Sequence, residues 1–126
     1  MRKPDETTES EVQGIPCTVE TWCDWTDVPW DGDEPLEENA EGYDVCARVT
    51  IALRDGSAVG HDSLGGIWIL PDASGRGYLA SELASVVEEA KEAALEELKR
   101  IAGGERLCQE ADRMSEAKAL LAAGAA

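Results

Sequence analysis

Three short stretches carry residue types that do chemistry elsewhere. His61-Asp62-Ser63 holds the three side chains of a hydrolytic relay, and His61 is the only histidine. Consecutive residues of a strand point to opposite faces, so these neighbours cannot form that relay among themselves. No G-x-S-x-G elbow is present to seat a nucleophile. Asp31-Gly32-Asp33-Glu34 offers hard oxygen donors, but it lacks the mid-loop glycine and closing glutamate of an EF-hand. Gly75-Arg76-Gly77, ahead of a helix, could meet an anion through backbone N–H groups. Cys17, Cys23, Cys46 and Cys108 fit no C-x-x-C zinc or redox spacing and read as reduced thiols. No catalytic residue, cofactor or metal is expected.

A different chemistry is written in the charges. From Glu20 to Asp44 there are ten acids and no Lys or Arg, interleaved with Trp22, Trp25 and Trp30. The chain has 27 acids against 11 bases, a net charge of −16. Residues 1–50 hold 14 acids and 3 bases; the remainder holds 13 and 8. Such a balance repels nucleic acid and anionic membranes and favours a basic partner. Pro29, Gly32, Pro35 and Gly42 make 26–42 a loop. The candidate partner-binding residues of this acidic stretch are Asp24, Asp27, Trp30, Asp31, Asp33, Glu34, Glu37 and Glu38, with Trp as an interface anchor. The plainer reading is a solvated loop whose Trp residues fold back on the core.

The element that must carry the rest is a helix from Tyr78 to Ala102. Leu79, Leu83, Val86, Ala90, Ala94, Leu98 and Ile101 recur at helical spacing, and Glu82, Glu89, Glu92 and Glu96 fall opposite. Four residues rise ~6 Å along the axis, and phosphates advance ~3.4 Å per nucleotide. Carboxylates one turn apart can therefore imitate a coarse row of phosphates, and these four join the candidate partner-binding set. The plainer reading is a solvated face with a Glu96–Arg100 pair.

Upstream, Cys17–Trp25 alternates as a strand, with Trp22 on its polar side. Tyr43–Leu53 alternates more clearly, and Asp55-Gly56 predicts a hairpin. The return strand spans about Ser57–Ser63, Gly65-Gly66 breaks or bulges it, and Ile67–Leu70 is a further short strand. Trp68 is expected in the core or shielding the helix. Asp72 or Ser74 could cap the helix, and Gly103-Gly104 ends it. A second amphipathic helix is expected from about Glu105 to Ala122. Residues 1–13 are polar and charged and read as a disordered tail. The expectation is one α+β domain over 14–126. Its antiparallel sheet of three to four strands is covered on one face by the long helix, with a shorter C-terminal helix. No apolar run nears the ~20 residues of a membrane span, and the polar N-terminus is unlike a signal peptide, so a cytoplasmic location is expected.

Two resemblances bear on function. Ile69-Leu70-Pro71 through Gly75-Arg76-Gly77-Tyr78-Leu79 is similar to the coenzyme-A-binding segment of the N-acetyltransferase superfamily. Gly77 matches its motif, whereas Ser74 stands in place of Gln or Arg and Leu79 in place of Gly or Ala. Asp62-Ser63-Leu64-Gly65-Gly66-Ile67 with the acidic helix resembles a recurring type of small phage and actinobacterial protein. The expectation is a non-enzymatic acidic protein, phage-encoded, that inhibits a host nucleic-acid-binding protein of the CRISPR or restriction kind. It would do so by presenting a nucleic-acid-like surface. The alternative is an interaction module or oligomer subunit, with a homodimer as one form, in which charge only confers solubility. An acetyl-coenzyme-A-dependent transferase is the remote alternative.

Overall fold

The alternating stretches pair into one sheet in the computed structural model, which describes residues 2–32, 34–54, 56–103 and 111–125. β1 (Glu6–Val12), β2 (Ile15–Trp25), β3 (Glu41–Leu53) and β4 (Gly56–Ile69) lie antiparallel in chain order. Two helices follow, α1 (Ala73–Ala102) and α2 (Ala111–Ala125). The fold is α+β: a four-stranded sheet packed against one long helix, with a shorter helix beside it.

Period-two burial sets the sheet's orientation. Val45, Ala47, Val49, Ile51 and Leu53 of β3 are buried, with Ile15, Cys17 and Val19 of β2 on the same face. Val86, Ala90, Ala94, Leu98 and Ile101 of α1 close over that face. The helix lies chiefly on β4 and β3 and barely reaches β1. Gly60 is where it comes closest. A Cβ there would fall on the backbone of Ala90 and Ala94, so the absence of a side chain sets the helix–sheet distance. Asp72 caps α1, accepting the Gly75 N–H at 2.7 Å. The helix thus begins at Ala73, a turn before the expected Tyr78. Gly103 ends it, donating its N–H to the Lys99 carbonyl at 2.9 Å. Of the expected second helix, residues 105–110 lie outside the described residues; Ala117 is its buried contact.

Three expectations need correction. Residues 1–13 are not a tail: Glu6–Val12 is the edge strand β1, paired with β2 from Glu6↔Thr21 to Val12↔Ile15. Gln13 (φ 49°) and Gly14 (φ 81°) supply the two positive φ values of a tight hairpin turn. Secondly, Ser57–Ser63 and Ile67–Leu70 are not separate strands. They are one strand, β4, with a bulge in which Gly65 and Gly66 oppose Asp44. Gly66 takes φ +67° and donates its N–H to Asp44 Oδ1 at 2.9 Å. Thirdly, Trp68 neither enters the core nor shields the helix. Its neighbours Ile67 and Ile69 point inward, so Trp68 lies on the face away from α1.

That second face carries neither α1 nor α2, yet Trp22 on it is only 4% exposed. The Arg48 guanidinium lies 5.5 Å over its ring, held by Glu20 at 2.7 Å. The Trp22 indole N–H donates to the Arg2 carbonyl at 3.1 Å. The first residues therefore fold across the open face as a strap.

Candidate functional site

The β2–β3 connection is a pinned loop. Thr26 N–H donates to the Gly42 carbonyl at 3.1 Å and closes its base. Val28 N–H donates to Thr26 Oγ1 at 3.1 Å. Trp30 Nε1–H donates to the Glu34 carbonyl at 2.8 Å, which fixes the indole in the loop. The Trp30 ring meets Trp68 edge to face, with centroids 6.4 Å apart and planes at 78°. Trp68 in turn lies across Gly42, its partner on β3, where a Cβ would press on the indole. A hollow of about 230 Å³ opens there, walled by Trp30, Trp68, Leu36, Glu34 and Glu37.

On the α1 face of the sheet lies a separate aromatic pair. Trp25 is 66% exposed and stacks on Tyr43 at 4.9 Å. The Tyr43 hydroxyl donates to Glu41 Oε2 at 2.7 Å. That bond to a carboxylate holds the proton on and raises the phenol's pKa. Val28, Trp30 (42% exposed), Leu70 and Tyr78 are also open.

The acids predicted to bind a partner fall into unlike groups. Asp27, Asp31, Glu34, Glu37 and Glu38 are exposed on the loop. No ion pair holds any of them among the described residues. Asp33 lies outside the described residues. Asp24 differs, because the Arg2 guanidinium is bound to it and to Asp5. On α1, Glu82 is half-buried, while Glu89, Glu92 and Glu96 are exposed. Glu96 pairs with Lys99 at 3.4 Å, and Arg100 pairs with Glu97 at 3.5 Å rather than with Glu96. At ~1.5 Å per residue, Glu82 stands ~15 Å along the axis from the cap and Glu96 ~36 Å. The loop sits at the capped end and leans on the Trp68 side of the sheet. The two groups therefore do not merge into one row of carboxylates.

The other chemical motifs are placed plainly. His61 is exposed and Asp62 half-buried, on alternating sides of β4. The Gly75 N–H, a candidate anion donor, is taken by the cap. Cys17, Cys23 and Cys46 are free thiols whose pKa burial pushes up; Cys108 lies outside the described residues. A second hollow, about 310 Å³, lies between β1 and α1 and is lined by Thr8, Ser10, Val19, Leu83 and Val87. It was hidden from sequence reasoning by the reading of residues 1–13 as a tail. The residues that line it from β1, Glu6, Thr8 and Ser10, are polar and leave no apolar pattern in the sequence.

No protein-family model matches this chain, and comparison with curated proteins and with solved structures finds no match either. Among the described residues no helix is long and apolar enough to cross a membrane.

Proposed function

We propose that this chain is a non-enzymatic acidic binding protein that docks its β2–β3 loop end on a basic surface of a nucleic-acid-handling protein and blocks it. The observation that carries the reading is local. Five exposed loop carboxylates, none of them held by an ion pair among the described residues, share the loop with exposed Val28 and Trp30. Crowded carboxylates repel one another, and a cation-rich partner relieves that repulsion. Indole rings at the same place supply the apolar contact that charge alone lacks. The helix carboxylates Glu89 and Glu92 act at longer range, steering approach rather than extending the contact.

The reading is tested by capturing partners from lysate with the wild-type chain and with a loop variant carrying Asp27→Asn, Asp31→Asn, Glu37→Gln and Glu38→Gln. A basic protein held by the wild type, lost by the variant and displaced by a nucleic-acid oligonucleotide supports it. A partner that oligonucleotide does not displace, and that persists in high salt, favours the plain interaction-module reading instead. The exposed Trp25 and Tyr78 are the observation behind that second reading.

A further inference from the structure

The geometry points to the hollow between Trp30 and Trp68 as a receptor for the guanidinium of an arginine presented by a partner protein. This rests on the docking reading above and names the side chain that the site takes. Three observations carry it. The first is the aromatic wall: two indoles at 78°, one half-buried and one 42% exposed, border a hollow of about 230 Å³. An indole face is the most attractive aromatic surface for a cation. The second is charge. Glu34 and Glu37 line the same hollow, and no ion pair holds either among the described residues. The third is that the site is already formed. Trp30 is fixed by its bond to the Glu34 carbonyl, and Gly32 packs so tightly on the indole that a Cβ there would overlap it. Trp68 is fixed over Gly42. Little ordering remains to be done on binding, which is the usual cost of a loop site.

The choice of arginine follows from the shape. A guanidinium is planar, so it stacks on an indole, and its N–H fork matches carboxylate oxygens at the rim. It is also more weakly hydrated than an ammonium and is the commoner partner in cation–π pairs. The same chain already makes this contact once, with Arg48 over Trp22 and its guanidinium held by Glu20. The hollow at Trp30 and Trp68 repeats the acid and indole halves of that arrangement, with no arginine lining it among the described residues.

The test is an NMR titration of the full-length chain, following the indole N–H signals of Trp30 and Trp68. The probes are N-acetyl-arginine methylamide and its uncharged isostere, N-acetyl-citrulline methylamide. The expected result is a saturable shift of both signals with the arginine compound and binding at least tenfold weaker with citrulline. A Glu34→Gln, Glu37→Gln double variant should weaken the arginine response at least fivefold with the rest of the spectrum unchanged. Equal responses to the two probes, or a response the double variant leaves intact, would overturn the assignment. The outcome is separable from the docking reading. A flat titration beside successful partner capture removes only the arginine site, whereas a good titration beside failed capture removes only the docking.

Discussion

Around Gly60 the helix backbone of Ala90 and Ala94 rests on strand backbone, and Leu98 beside it has no exposed surface. At the other end of the sheet, Val28 and Trp30 stand in solvent among loop carboxylates that no ion pair holds among the described residues. The same chain thus treats apolar surface in two ways. At the seam, small residues allow close approach, and dispersion contacts and water exclusion do the holding. At the loop, large rings are fixed by hydrogen bonds at their edges and left open on their faces. The contrast separates the part of the molecule that keeps it folded from the part free to meet something else.

The seam should give the largest response. Leu98→Ala removes a fully buried side chain under α1 and should lower the unfolding free energy by about 3 kcal/mol. Gly60→Ala should cost about 2 kcal/mol by the opposite route, since its methyl group pushes the helix off the sheet. Urea unfolding followed by circular dichroism measures both. Neither change should affect partner capture by the folded fraction. A Gly60→Ala protein as stable as the parent would mean that the seam is loose, and the contrast would fail at its firmer end.

The loop should respond in the reverse sense. Neutralising Asp27, Asp31, Glu37 and Glu38 removes like charges that lack cations of their own among the described residues. Stability should stay within about 0.5 kcal/mol of the parent, as for ordinary surface changes, with any shift toward greater stability because self-repulsion falls. The same variant is the one expected to lose its partner. A loss of more than about 1 kcal/mol would show these carboxylates supporting the fold, and the division of labour would have to be redrawn.

Legibility in the sequence followed the same division. The Val86–Ile101 stripe and the Tyr43–Leu53 alternation were readable because burial there is periodic and apolar. β1 was not, because its inward residues Glu6, Thr8 and Ser10 are polar and border an open groove, so their period two carries no hydrophobic signal. Its turn uses Gln13 where Asn or Asp would announce a hairpin. At the site, the acid run and Trp30 were visible as composition. Trp68 was not, because the bulge at Gly65–Gly66 shifts the phase of β4 by one residue and reverses which side Trp68 takes. Nor could spacing reveal that Arg2 would reach Asp24, a contact made only once β1 pairs with β2. Long-range partners of charged residues follow from topology, and topology turned here on a strand with no apolar pattern.

The smallest effect expected is the one that joins the two regions, at the strap over Trp22. Arg2 binds Asp5 and Asp24, and Asp5 also accepts the Cys23 N–H at 2.6 Å. The Arg2 hydrogen bond, followed by that of Cys23, lowers the Asp5 pKa from 3.8 to about 2. A carboxylate depressed in the folded state favours the contact fully above its ordinary value. That favour fades as pH falls from about 4 and is gone below about 2. All these groups are solvent-exposed, so the change should be local. The Trp22 indole N–H, bonded to the Arg2 carbonyl, should shift in NMR spectra across that window while the Gly60 and Leu98 signals hold still. Asp5→Asn should release the indole at neutral pH and flatten the dependence. If Trp22 instead changed only together with Leu98, strap and seam would be one cooperative unit. The open face of the sheet would then share in the stability that the contrast reserves for the helix side.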